Sequence, residues 1–359
     1  MKRSVKFTLK FSNVNKQCSL DKLFLEYSDV VNSFLTTIFN KKELTEDYIK
    51  SFNTRLSYRY KQCAKRQAYK IFKCWCRNKK KGELPVFKGA MVLDERFVEL
   101  QKSKTSFDYW IKISTLNIGK PIVVPIKSYE YAKKYLNSWT LIKGAKLLKN
   151  DKGWQVSIAF EKLTPAIKTT GDVIGVDIGI KKLMVDSNKN RYGLRIESLL
   201  NKIQRKVRGS KAYKRALRER DYYINKTVKE LPFSRCKTIV LENIKNIKKN
   251  TKKEKKLNKK FRSKFQSWTY SKLLSRIRLL SEVVGVQCPG VPPAYTSQTC
   301  PECKFVHKLN RRGETFTCRN CGYTADADYV GSVNVLKTYL AQQSMVAGNI
   351  KSNVCLQNY

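Results

Sequence analysis

Residues 295–336 read YTSQTCPECKFVHKLNRRGETFTCRNCGYTADADYVGSVNVL. Cys300-Pro-Glu-Cys303 and Cys318-Arg-Asn-Cys321 are two CxxC knuckles separated by fourteen residues, the spacing of a four-cysteine zinc ribbon. Two thiolate pairs on tight turns can meet at about 2.3 Å around one tetrahedral Zn²⁺, and four protein ligands leave no position open for a substrate. The expected role is structural, and a redox dithiol pair is the competing reading. His307 lies between the knuckles and is expected on the surface of the module. Asp326-Ala327-Asp328 follows the last knuckle and opens a helical pattern of Val330, Val333, Val335 and Leu336. One of these two aspartates can serve as the helix N-cap.

Acids are scarce elsewhere, so their positions carry information. The run Val173-Ile174-Gly175-Val176-Asp177-Ile178-Gly179 has buried-strand character and one carboxylate, and Thr238-Ile239-Val240-Leu241-Glu242-Asn243 is a second such run that ends in Glu242. A charge inside a buried strand is costly unless it binds something. Carboxylates at strand and helix ends, in the order Asp, Glu, Asp, are what two hard cations need in order to activate a water and stabilise a leaving oxygen. Asp177, Glu242 and one of Asp326 and Asp328 are therefore the candidate catalytic and Mg²⁺-binding residues.

The whole chain has 359 residues, 74 Lys+Arg against 28 Asp+Glu, and a formal charge of +46. That excess calls for a polyanionic partner. With 42% apolar residues the chain can bury substantial cores, which excludes disorder throughout. A single histidine excludes histidine-pair metallonucleases, and the absence of GxxxxGK[ST] argues against ATP hydrolysis by that route. There is no apolar stretch of bilayer length, and Met1 to Lys16 alternates charged with apolar residues, so a cytosolic or nucleoid-associated protein without membrane contact is expected. The remaining cysteines, Cys18, Cys63, Cys74, Cys76, Cys236, Cys288 and Cys355, are expected as small buried hydrophobes.

Val5, Phe7, Leu9 and Phe11 alternate with polar residues and predict a first strand. From Ser19, read as an N-cap, helical periodicity runs through Phe39, and after Thr45 it resumes toward Trp75. Arg55, Arg59, Lys61, Lys65, Arg66 and Lys70 give this second stretch a basic face suited to phosphates or simply to solvent. Strand patterns return at Tyr109–Ile113, Ile122–Val124 and Trp154–Phe160. The expected layout is a discontinuous β domain, a small antiparallel β-barrel or sheet of residues 1–18 and 84–168, interrupted by a helical insertion at 19–83. An α/β unit follows at 169–294, with a long basic helical region over about 195–229. The ribbon occupies 295–325, a closing helical segment 326–345 and a tail 346–359. Lys248 to Lys264 holds ten basic residues and one acid, and Phe261, Phe265, Trp268 and Tyr270 then interleave aromatics with basic residues, which suits base stacking or a core.

GVDIG at 175–179, IVLENI at 239–244 and the stretch quoted at the outset together resemble the three RuvC motifs and zinc ribbon of TnpB. TnpB is the transposon-encoded RNA-guided DNA endonuclease ancestral to type V CRISPR effectors. The resemblance covers about residues 170–340. It implies an RNase H-like fold with the ribbon inserted just before the third acid, and it matches Asp177, Glu242 and Asp328 to the catalytic acids. It also implies that a guide RNA pairs with double-stranded target DNA while the protein reads a short flanking motif. The N-terminal layout fits the family's wedge and recognition domains. Lys304-Phe305 departs from the glycine or histidine usual after the first knuckle, and the chain is short for the family. Other readings are a miniature type V effector, a guide-dependent repressor without cleavage, a guide-free transposase and a zinc-ribbon RNA-binding protein. Oligomeric state is left open, with a monomer possible.

Overall fold

The computed structural model describes residues 1–78, 82–117, 119–151, 153–243 and 269–355, with side chains in the last helix described to 345. The basic run Lys248 to Lys264 and Phe261, Phe265 and Trp268 lie outside the described residues. The chain divides into two compact units, Met1–Leu163 and Thr164–Tyr359. Among the described residues no helix is long and apolar enough to cross a membrane.

The first unit runs β1 (Lys2–Thr8), α1 (Val14–Phe39), α2 (Glu46–Ser51), α3 (Tyr58–Cys76), β2 (Met91–Leu93), β3 (Val98–Lys102), β4 (Tyr109–Ile113), β5 (Ile122–Ile126), α4 (Glu130–Ser138), β6 (Thr140–Asn150) and β7 (Gly153–Glu161). Alternation buries Val5 and Phe7 of β1, and β1 pairs antiparallel with β7. The two strands are thus joined across everything between them. Of the antiparallel barrel or sheet expected here, the structure has two open antiparallel sheets, ordered β1-β7-β6-β2 and β3-β4-β5. Nor are the helices a separate body: Leu23, Tyr27 and Phe34 of α1 share one core with Phe7, Met91, Ile111 and Val156.

Helix α1 starts earlier than expected because Asn13, not Ser19, is the cap, its side chain accepting the Lys16 amide at 3.0 Å. The second helical stretch splits in two. Thr45 caps α2, which ends at Ser51, and the buried Lys61 ammonium of α3 takes the carbonyls of Lys50 and Phe52 at 2.9 and 2.8 Å. Lys61 is therefore not on the expected basic face, and Arg59 and Arg66 of that face share Asp94. Cys18, Cys74 and Cys76 are exposed, contrary to the buried-hydrophobe expectation, which holds for Cys63 and Cys236. Helix periodicity places those three on outward faces, where thiols need no partner.

The second unit runs β8 (Asp172–Asp177), β9 (Met184–Asp186), β10 (Arg191–Tyr192), α5 (Ile196–Gln204), α6 (Lys211–Thr227), β11 (Cys236–Glu242), α7 (Tyr270–Val284), β12 (Gly290–Val291), β13 (Arg311–Arg312), β14 (Thr315–Thr317), β15 (Thr324–Asp326) and α8 (Ala327–Cys355). Its main sheet is ordered β10-β9-β8-β11-β12, with β8, β11 and β12 parallel and β9 and β10 antiparallel. The single helical region expected at 195–229 is the pair α5 and α6. Ser210 caps the second helix by accepting the Tyr213 amide at 3.0 Å. The closing helix runs on to Cys355, well past the expected end.

Strand alternation decides what each face of this sheet meets. Ile174, Val176, Ile239 and Leu241 share a core with residues of α5, α6 and α7. Val173 and Val240 belong to a second cluster with Val335 of α8. Helix α8 crosses β8 at Gly175, where a Cβ would stand 2.2 Å from the Ser332 carbonyl oxygen, so no other residue fits. Two residues further along each strand, on this same α8 face and at the carboxyl ends, lie Asp177 and Glu242.

Candidate active site and metal centre

Leu241 of β11 stands opposite Val176 of β8, so the next residues, Glu242 and Asp177, are neighbours across a parallel pair. The carboxyl ends of parallel strands are where open α/β sheets present ligand sites. The third acid comes from α8. Gly331, one turn into that helix, faces Asp177 so closely that a Cβ there would lie 3.1 Å from its Cγ and Oδ2. Asp328, one turn earlier, is 8% exposed.

Asp177 feels the other two acids. Burial, then the charges of Glu242 and Asp328, raise the Asp177 carboxyl to about 7 against the Arg311 guanidinium and the Ile178 amide. Burial also raises Glu242, partly offset by its hydrogen bond from Thr296 and by Arg311. Thr296 Oγ1 donates to Glu242 Oε1 at 2.5 Å, and Tyr270 donates its hydroxyl to the Glu242 carbonyl at 2.8 Å. Asn334 of α8 holds the turn that carries Thr296, its amide donating to the carbonyls of Thr296 and Thr299 at 2.7 and 2.8 Å.

Asp326 and Asp328 have different surroundings. Asp326 is the cap of α8: its Oδ1 accepts the amides of Asp328 and Tyr329 at 3.0 and 3.2 Å. Its Oδ2 receives Lys182 at 2.6 Å and Arg191 at 3.1 Å. Burial works against ionisation of Asp326, but these hydrogen bonds and the Lys182 charge outweigh it and hold the carboxyl below its ordinary value. Asp328 Oδ1 receives Arg311 at 2.9 Å, and its Oδ2 lies 3.4 Å from the Lys182 ammonium.

The four cysteines form a tighter group. Among the described residues, the sulfurs of Cys300, Cys303, Cys318 and Cys321 all lie within 4.8 Å of one another, and the three carboxylates do not form such a group. Cys300 and Cys321 are 3.7 Å apart and Cys303 and Cys318 3.5 Å. These spacings approach the edge of about 3.8 Å of a tetrahedron with Zn–S near 2.3 Å. The Phe305 amide, then Asn320, hold the Cys303 thiol below its ordinary value, whereas burial raises that of Cys300. Each knuckle closes on a residue in the left-handed region, Lys304 at φ 62° and Gly322 at φ 75°. That geometry explains why glycine suits the position Lys304 occupies.

Buried Asn310 ties the knuckles together. Its amide donates to the carbonyls of Gln298 and Phe305 at 3.0 and 3.3 Å, and its Oδ1 accepts the Arg319 amide at 3.0 Å. His307 is exposed, as expected, and its Nδ1 accepts the Leu309 amide. The ribbon strands β13, β14 and β15 form one small sheet that runs directly into α8, which carries Asp328.

Sequence reading named the three acids and four cysteines but missed Lys182, Thr296, Asn310, Arg311 and Asn334. For Asn334 a signal existed, a polar residue inside the apolar helical pattern of Val330 and Val335. For Lys182 and Arg311, two among 74 basic residues, there was none.

Residues 270–335 match the family described as "Cas12f1-like, TNB domain". The CRISPR-associated endodeoxyribonuclease Cas12f1 of Sulfoacidibacillus thermotolerans is 35% identical over 115 residues, 32% of this chain and 24% of that protein. The putative RNA-guided DNA endonuclease InsQ of Escherichia coli K12 is 47% identical over 53 residues, 14% of this chain and 13% of that protein. These alignments span about a quarter or less of the curated relatives. A Cas12f1 chain solved by cryo-EM with sgRNA and target DNA has a similar fold, with TM-score 0.60 at 16% identity over 90% of this chain and 83% of that one. In sequence and fold the chain is similar to TnpB- and miniature Cas12-type proteins.

Proposed function

We propose that this chain is an RNA-guided DNA endonuclease that hydrolyses phosphodiester bonds with Mg²⁺ held by Asp177, Glu242 and Asp328. One observation carries the reading: three acids from two parallel strands and a crossing helix stand on one face of the sheet, where burial and then the charges of the other two raise Asp177. A buried carboxyl beside two further acids is relieved by cations, and carboxylate oxygens suit a hard divalent ion. When bound, two Mg²⁺ polarise the phosphate, lower the pKa of a water and stabilise the leaving oxygen. The chain's own residues set the frame. Thr296 orients Glu242, Arg311 restrains Asp328, and Gly331 lets α8 pass over Asp177 without blocking it.

In the same reading, the sheet of the second unit is an RNase H-like RuvC domain and the cysteine quartet is a structural zinc ribbon inserted before its third acid. The sheets and helices of residues 1–168 are the wedge and recognition parts. A charge of +46 suits the phosphate backbones of a guide RNA and of double-stranded target DNA, with sequence read by base pairing. The protein acts in the cytoplasm, at the nucleoid.

The test is to purify the protein from its native genomic context, sequence the RNA that accompanies it and offer matching DNA in Mg²⁺. A dominant RNA with a variable end, and cutting of DNA that matches that end, are expected. A transposon-end origin marks a TnpB-type protein and a repeat-array origin a CRISPR effector. Heterogeneous RNA with no matched cutting contradicts the proposal.

A further inference from the structure

Lys182 lies in the turn after β8, five residues beyond Asp177, and only 9% of it is exposed. Its ammonium faces three acids at once: Asp326 Oδ2 at 2.6 Å, Asp328 Oδ2 at 3.4 Å and Glu314 Oε2 at 3.5 Å. Glu314 sits in the ribbon between β13 and β14, and its carbonyl accepts the Ala327 amide at 2.8 Å. Neighbouring Lys181 takes the other Glu314 oxygen at 2.6 Å. The turn after the first acid is therefore clasped to the ribbon and to the start of the helix bearing the third acid.

Three carboxylates facing one ammonium would, without it, leave a concentration of negative charge that attracts a divalent ion, although their oxygens are not grouped as tightly as the cysteine sulfurs. A lysine ammonium is a compact cation that fills this place with one charge rather than two. Asp326, with both oxygens engaged by the helix cap, Lys182 and Arg191, has nothing left for a metal. Asp328 is held by Lys182 only at the longer distance.

We infer that Lys182 is the positioning residue that decides which acid of Asp326-Ala327-Asp328 serves a divalent cation. It acts as a resident counter-ion that occupies the place between Asp326 and Glu314 and leaves Asp328 to work with Asp177. The inference rests on the nuclease reading above and deepens it.

The test counts Mn²⁺ bound to the full-length, zinc-loaded chain and measures cleavage of matching DNA. Lys182→Met keeps the length of the side chain and removes its charge. It is expected to bind about one more Mn²⁺ than the wild type, at the vacated place. Its kcat should fall at least roughly tenfold through misplacement of Asp328, with KM for target unchanged. Lys182→Arg is expected to restore the wild-type Mn²⁺ count and most of kcat, which a merely structural loss would not predict. Asp326→Asn reads the same strut with the lysine retained, and so keeps the inference testable if Lys182→Met fails to fold. The released ammonium then turns to Asp328 and weakens Mn²⁺ binding by about tenfold. An unchanged Mn²⁺ count and rate in Lys182→Met, or unchanged Mn²⁺ affinity in Asp326→Asn, overturns the inference alone, provided that wild-type Mn²⁺ binding depends on Asp177. Wild-type binding indifferent to Asp177→Ala overturns the nuclease-metal reading and this inference with it.

Discussion

The sulfur quartet and the carboxylate trio lie in the same unit, joined by β15 and α8, yet they assemble in opposite ways. The four cysteines fall within 22 residues of sequence, and each pair is set by its own tight turn, so local geometry brings the sulfurs within 4.8 Å. The acids lie at positions 177, 242 and 328, and only the pairing of β8 with β11 and the crossing of α8 bring them together. The sulfurs stand close enough to hold one metal ion. The acids form no such close group, and Asp328 among them is restrained by Lys182 and Arg311. A structural site can be built locally, whereas a working site is built by the fold.

If this contrast is right, the two clusters should fail differently. A structural zinc contributes on the order of 10 kcal/mol to the folding of a small module. Cys318→Ser is therefore expected to release zinc and unfold the ribbon, and with it to disturb Asp328, whereas Asp177→Ala should leave zinc in place. Zinc content measured beside circular dichroism separates the two. Stoichiometric zinc in Cys318→Ser would remove the ligand assignment.

The acids should also carry a stability penalty that the sulfurs do not. Asp177 is raised from 3.8 to about 7 in the folded chain. A carboxyl raised on folding is accommodated while protonated, and the stability associated with its protonated form is lost as pH rises through the folded value. In Mg²⁺-free buffer the chain is expected to lose about 1–4 kcal/mol between pH 5 and pH 8 from this group. Asp177→Asn should flatten that slope in denaturant titrations at the two pH values, and an equally steep slope in the variant would exclude Asp177 as its source.

The smallest effect belongs to the ribbon. Lys304 holds a left-handed φ of 62° that costs a side chain more than it costs glycine. Lys304→Gly is expected to stabilise the zinc-loaded chain by about 0.5–1 kcal/mol, visible as a small rise in melting temperature. A drop would mean that the lysine side chain contributes more than the backbone strain costs.

The same contrast explains what could be read in advance. The cysteines are legible because their spacing is their geometry. Asp177 and Glu242 are legible because each interrupts an apolar run, which marks a carboxylate placed at the end of a buried strand. Lys182, Arg311 and Thr296 gave no such signal, since their contacts depend on turns and on the approach of the ribbon to the sheet. In the first unit the alternation of Val5 and Phe7 exposed the strand but not its partners. Pairing is non-local, so two open sheets were not distinguishable from a barrel. Helix ends shifted where a cap competed, as with Asn13 against Ser19, or where a side chain closed a break, as with Lys61.

The most direct test of the central claim is the cleavage rate of guide-matched DNA in Mg²⁺ by Asp177→Ala, Glu242→Ala, Asp328→Ala and the triple variant, each checked for retained zinc and bound RNA. Residues acting as one centre are strongly non-additive. Each single change is predicted to reduce cleavage by about a thousandfold or more, ~4 kcal/mol of barrier, with the triple variant little worse. Wild-type cutting by any single variant, or losses that simply multiply, would contradict a single three-acid site.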